Sequence, residues 1–239
     1  MAQGVAWWAR RLGVPCTVVV PEQAPRTKLA AAERLGARVL KVSFDEWWRT
    51  LVERGHPDAP GFFVHPVADA AVMGGNATIG LEIMEDVPDV DAVLVPFGGG
   101  GLSCGIASVV RALRPEAAVY GCEVETAAPL SASLRAGSPQ AVDHRPSFVD
   151  GIGGKSLLAE MWPLARRLLA GALVVSLAEI AAAVRFLAER QRVVAEGAGA
   201  ASVAAALAGR ATGRRIVCVV SGGNIDLAVL ARILEGDVP

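Results

Sequence analysis

Asp91-Ala92-Val93-Leu94-Val95-Pro96-Phe97-Gly98-Gly99-Gly100-Gly101-Leu102-Ser103 decides the fold. Its first half is a short, continuous apolar run, the signature of a strand buried on both faces. Its second half is a run of glycines that opens into the helical pattern 102–113. Glycine reaches φ > 0 and lets another group approach the bare backbone. A strand that ends in such a nest and passes into a helix N-terminus presents amides to an anion. A second signal of the same kind lies downstream, Val219-Val220-Ser221-Gly222-Gly223-Asn224, again after an apolar run. Read alone, it is a strand end with Asn224 as a helix cap, or a hydroxyl aimed at a ligand held by the first loop.

Working outward, strand-like and helix-like segments alternate. Strands are expected at 16–20, 38–42, 91–96, 117–124, 173–176 and 215–220. Helices are expected at 5–12, 27–35, 44–53, 68–85, 102–113, 129–135, 179–191, 199–207 and 226–234, with 140–155 irregular. Alternation of this kind predicts an α/β protein with a parallel sheet covered by helices on both faces. Ligands then bind beyond the carboxyl ends of the strands, where both glycine signals fall. The Gly- and Pro-rich stretch 55–60 suggests a small α/β domain at 1–57 and a large one at 58–239.

Composition narrows the function. The chain has 239 residues, 53% of them hydrophobic, with 23 Lys and Arg against 24 Asp and Glu. This charge balance argues against nucleic acid, which needs a basic field. No apolar run reaches the roughly 18 residues of a membrane helix. Cys16, Cys104, Cys122 and Cys218 are scattered without metal-ligand spacing and read as reduced thiols of a cytoplasmic protein. His65 reads as a packed loop histidine, His56 and His144 as residues of polar loops. In each of the pairs Trp7-Trp8 and Trp47-Trp48, one ring is expected inward and one near the surface.

Gly98–Gly101 could also be a dinucleotide loop, with Glu123 after the next strand at the distance of a ribose-binding acid. A G-x-G-x-x-G fingerprint ending at Gly105 would, however, need glycine where Leu102 stands.

An ordered set of motifs goes further. It comprises Ala2-Gln3-Gly4-Val5-Ala6, Gly36-Ala37, Gly75-Asn76-Ala77-Thr78-Ile79-Gly80-Leu81-Glu82-Ile83 and Val95–Leu102. Asp150-Gly151-Ile152, Val194-Ala195-Glu196-Gly197-Ala198-Gly199 and Ser221–Asn224 complete it. Almost from end to end, the chain resembles the threonine/serine dehydratase and serine racemase branch of the fold-type II pyridoxal-phosphate enzymes. The resemblance implies pyridoxal 5'-phosphate as cofactor, a small amino-acid substrate, a homodimer, and β-elimination that yields a 2-oxo acid and ammonia. It places Gly98, Gly99, Gly100, Gly101 and Leu102 at the cofactor phosphate, Ser221 at the pyridine nitrogen, and Gly222 and Asn224 also at the cofactor. Gly151 falls beside the cofactor, and Glu196 near ring and substrate, where it is the candidate catalytic side chain. Glu123 matches a metal-binding carboxylate, but the second acid, six residues on, is Pro129. The Schiff-base lysine expected in a Ser-x-Lys motif is absent: Lys28, Lys41 and Lys155 all lie outside it. On this reading the chain matches the family without its first strand, Schiff-base helix and carboxylate loop, as a fragment would. A non-catalytic phosphate-binding module and a nicotinamide-dependent oxidoreductase are the alternatives.

Overall fold

The computed structural model describes residues 1–239, which form two compact units. The first comprises Met1–Pro66 with Asn224–Asp226, the second Val67–Gly223 with Leu227–Pro239.

In the first unit the order is α1 (Ala2–Leu12), β1 (Thr17–Pro21), α2 (Arg26–Arg34), β2 (Arg38–Val42) and α3 (Phe44–Glu53). The β-branched run Thr17–Val20 pairs in parallel with β2, from Thr17 opposite Arg38 to Pro21 opposite Val42. Pro21 is the last residue of the ladder, and the Glu22 N–H beyond it still donates to the Val42 carbonyl at 2.9 Å. One core cluster here is made of alanines, Ala6, Ala32 and Ala37, with Cys16, Val18, Leu35 and Val39 against them, and Leu29, Val42 and Leu51 are buried as well. Ser43 caps α3 by accepting from the Glu46 N–H at 3.2 Å. Pro25 precedes α2 and has no side-chain acceptor. The cap comes instead from Asp226, whose carboxylate accepts from Arg26 N–H at 3.2 Å and Thr27 N–H at 2.8 Å.

The second unit runs α4 (Ala70–Asp86), β3 (Ala92–Pro96), α5 (Gly101–Leu113), β4 (Ala118–Val124), α6 (Pro129–Ala136), α7 (Trp162–Leu168) and β5 (Gly171–Val175). It continues with α8 (Leu177–Phe186), a π-helical turn (Leu187–Gln191), α9 (Gly197–Leu207), β6 (Ile216–Cys218) and α10 (Leu227–Glu235). Its sheet has the order β5-β4-β3-β6, and every pairing is parallel. β3 is buried at every residue, as the middle of a sheet covered on both faces requires. The first nine residues of α9 are all buried and all small but Val203, so this helix lies deep in the unit. Gly105 seats α5 on α4, since a Cβ there would lie 2.6 Å from the Met73 carbonyl oxygen. No helix is long and apolar enough to cross a membrane.

Several expectations change. Helix α7 lies in a stretch read as having no element; only Ala165 of its seven residues is fully buried, so its apolar stripe is weak. The helix expected at 179–191 is α-helical only to Phe186 and then widens into the π turn, closed by Arg192 at φ 59°. Trp7 and Trp8 are both exposed, and Trp47 and Trp48 both half-buried, so neither pair splits inward and outward. His56 lies in the polar turn after α3, as read, and is buried there; its Nδ1 accepts from the Asp58 N–H and its Nε2 lies 3.0 Å from Glu46 Oε1. The cysteines are free thiols, and burial pushes Cys104 and Cys122 up to about 12.

Candidate functional site

The site begins where β3 runs out. Pro96 pairs with Cys122 of β4, and the Phe97 N–H donates to the Cys122 carbonyl at 2.8 Å. The next protein-bound amide is that of Cys104, which donates to the Gly100 carbonyl at 2.8 Å. Between them the N–H groups of Gly98, Gly99, Gly100, Gly101, Leu102 and Ser103 reach no acceptor in the protein. Some are the ordinary orphan donors of a helix start; the glycine run adds the rest. Together with the α5 dipole they form a cradle of positive potential. The buried Ser103 hydroxyl closes the turn by donating to the Pro96 carbonyl at 3.1 Å.

The glycines also have a role inside the protein that the sequence does not announce. Gly100 has φ 98°, a conformation L side chains rarely adopt. A Cβ on Gly99 would come within 2.5 Å of Val67 Cγ2, and one on Gly101 within 2.6 Å of the Val67 carbonyl oxygen. Val67 is thus the floor of the loop. Nothing in the sequence signals this role.

The opposite wall follows from the same close approaches. A Cβ on Gly98 would lie 3.6 Å from the Gly151 carbonyl oxygen, and one on Gly151 would lie 3.5 Å from Glu196 Oε1 and 2.7 Å from Ala198 Cβ. Glu196 stands at the N-cap position of α9, but its side chain makes no capping bond there. Its N–H donates to the Gly222 carbonyl at 3.0 Å, and any Cβ on Gly222 would collide with its carboxylate. Ser221 is exposed, just past β6, where the Val219 N–H still bonds the Leu94 carbonyl at 3.0 Å. Because β3 and β6 are neighbours, both glycine loops leave the same end of the sheet side by side. The structure therefore gathers Gly98–Leu102, Gly151, Glu196, Ser221 and Gly222. Asn224 belongs to the segment that groups with the first unit. Among the lysines, Lys28 and Lys41 lie in the first unit, and the charge of Lys155 bears on His144 and lowers its pKa, after burial.

Glu123 does something else. It is fully buried on β4 and turned toward α6, where Oε1 accepts from the Leu130 N–H at 2.7 Å and Oε2 from the Ser131 N–H at 2.8 Å. Burial raises its pKa to about 7, against the pull of those two donors and of Arg135. With both oxygens engaged, it is not placed as a ribose acceptor. No group of three His, Cys, Asp or Glu side chains gathers in a way that could hold a metal ion. The residues around Glu123 do not fit the divalent cation that the resemblance implies.

The fold is that of an α/β protein with a parallel sheet, and the loop after β3 leaves a run of amides open to an anion. The chain belongs to the pyridoxal-phosphate dependent enzyme family, which it matches over residues 1–222. It is 41% identical over 237 residues to an L-threonine ammonia-lyase of Thermotoga maritima, covering 98% of this chain and 59% of the relative. The chain thus spans less than two thirds of that relative's length. Among solved structures, a threonine deaminase from T.th. matches with a TM-score of 0.84 at 36% identity, over 94% of this chain and 75% of that one. Maize serine racemase matches with a TM-score of 0.84 at 29% identity, over 98% and 73%. The fold-type II assignment stands, and with it pyridoxal phosphate as the cofactor; the nicotinamide alternative falls. The cradle fits that cofactor: its amides have no internal acceptor, and Gly151, Glu196 and Ser221 lie at the same end of the sheet.

Proposed function

We propose that the protein takes part in pyridoxal-phosphate-dependent β-elimination of water from threonine or serine, giving a 2-oxo acid and ammonia. One observation carries this reading: six amides without a protein acceptor at Gly98–Ser103 lie at the same end of a single sheet as Gly151, Glu196 and Ser221. The similarity to named threonine ammonia-lyases and a threonine deaminase supports the choice of reaction.

When bound, the cofactor supplies an electron sink that makes the Cα proton of an amino acid removable. The amides of Gly98–Ser103 bind and orient its phosphate. Ser221 offers a neutral hydroxyl, which can hydrogen-bond a ring nitrogen without holding it protonated as a carboxylate would. Glu196 holds a carboxylate on the opposite wall, positioned by its own N–H on Gly222. No amine stands among these rim residues, so the 239 residues by themselves should bind the cofactor without turning substrate over. A small amino acid as partner, and a second copy in a homodimer, complete the reading.

The test is to assay protein made from its native gene, with pyridoxal phosphate, for 2-oxobutanoate from threonine and pyruvate from serine. Cofactor-dependent product that disappears in Gly101→Ala supports the reading. Cofactor binding without product supports a phosphate-binding module, and absence of binding refutes both.

A further inference from the structure

We infer that the N-terminus of α6 does for Glu123 what a divalent cation would do, so that this protein holds the wall of its site without one. The inference is independent of the reaction proposed above.

Three observations carry it. First, both carboxylate oxygens are committed to backbone donors, Leu130 N–H at 2.7 Å and Ser131 N–H at 2.8 Å, in the first turn of α6. Second, Glu123 is 0% exposed, whereas Mg²⁺ keeps several waters and Ca²⁺ takes six to eight oxygens. No group of three His, Cys, Asp or Glu side chains that could hold a metal ion forms around it. Third, the position six residues on is Pro129 at the head of α6, which has neither a side-chain oxygen nor an N–H. The only charge that helps Glu123 is the guanidinium of Arg135, which donates to the Ser131 hydroxyl at 2.8 Å. A cation there would meet that guanidinium and the positive end of the helix at once.

The cap matters because of what α6 holds. The Ser133 hydroxyl donates to the Pro129 carbonyl at 2.7 Å and accepts from the Gln140 N–H at 2.9 Å. The Val142 N–H then bonds the Lys155 carbonyl at 2.8 Å, and the Arg145 N–H bonds the Thr126 carbonyl at 3.0 Å. A Cβ on Gly153 would lie 3.0 Å from Ala127 Cβ. The segment that carries Gly151 to its place beside Gly98 is thus fastened to α6 and to the turn just after Glu123. Glu123 is a positioning residue for that wall.

The experiment is a thermal melt of the chelator-treated chain, titrated with MgCl2, CaCl2 and MnCl2 at matched ionic strength. The expected shift is under about 1 °C. Binding at this site should instead give a saturable rise of roughly 5 °C or more at a hundredfold excess over Kd. Such a rise in the wild type, lost in Glu123→Gln, overturns the inference. A rise that persists in Glu123→Gln supports it, because the cation then lies elsewhere. Hydrogen exchange gives a second readout. In metal-free protein the amides of Leu130 and Ser131 should be protected. Glu123→Ala should lose that protection and loosen 138–157, and Glu123→Gln, which keeps one acceptor, should restore part of it. Amides that become protected only when a cation is added would overturn the inference without any variant.

Discussion

Gly101→Ala sets two physical effects against each other. Gly101 is the first residue of α5 and its φ is not positive, so helix propensity alone predicts that alanine stabilises, by up to about 1 kcal/mol. The packing predicts the reverse. The new Cβ would sit 2.6 Å from the Val67 carbonyl oxygen, 3.0 Å from its Cα and 3.2 Å from its carbonyl carbon. These are backbone atoms that no rotamer change can move aside. Forcing a methyl group into a filled space costs about 1–3 kcal/mol, so packing should win by about 1–2 kcal/mol net. In a domain of this size that lowers the melting temperature by roughly 2–8 °C. The control is Gly74→Ala in α4, where a Cβ meets nothing within 4 Å. It should raise stability by about 0.5–1 kcal/mol. Urea and thermal unfolding by circular dichroism would measure both, and pyridoxal phosphate affinity should fall in Gly101→Ala alone. A Gly101→Ala protein as stable as wild type, with unchanged affinity, would refute the account of Val67 as the floor of the loop.

Other outcomes follow from the same contacts. Glu123 has a carboxyl pKa raised from 4.5 to about 7, so its contribution is full below its unfolded value and is lost as pH rises through 7. At about 1.4 kcal/mol per unit, wild type should lose about 3 kcal/mol relative to Glu123→Gln between pH 4.5 and 8, and parallel urea midpoints across that range would count against it. Ser221→Ala should weaken pyridoxal phosphate binding by about 2–10-fold, the worth of one net hydrogen bond, without moving the melt, because Ser221 is exposed. Asp226→Ala should cost about 0.5–2 kcal/mol by uncapping α2, read as faster hydrogen exchange at Arg26 and Thr27. The bonds from Thr27 hold the Asp226 pKa below its ordinary value, so this stability is present at neutral pH and lost as pH falls toward that lowered value.

The strands were legible because each is a short apolar run whose pattern needs no partner to read; β2 and α3 fall at their expected bounds, and β3 and β4 within a residue. The π turn at Leu187–Gln191 was not legible, since its residues Leu-Ala-Glu-Arg-Gln continue a good helical pattern. Helix α7 was missed although Pro163 near its start is a recognised opening signal. At the site, the glycine run announced a cradle but not the floor that demands it, because Val67 is an ordinary residue whose role is purely spatial. Glu123 stood out as a possible ligand. Pro129 read as a helix start and as a missing acid, but nothing in the sequence joined the two by showing that Glu123 caps that helix. Asp226 serves α2 from about 200 residues away, and a contact so distant leaves no local pattern in the sequence.

The most direct test of the central claim is to compare pyridoxal phosphate with pyridoxal, which lacks the phosphate, by calorimetric titration of this chain. If the amides of Gly98–Ser103 form the anion cradle, pyridoxal phosphate should bind at least about 10–100-fold more tightly, the worth of a single charge-assisted hydrogen bond. Inorganic phosphate should compete for the site. Equal affinity for the two compounds, or binding that phosphate leaves untouched, would contradict the account.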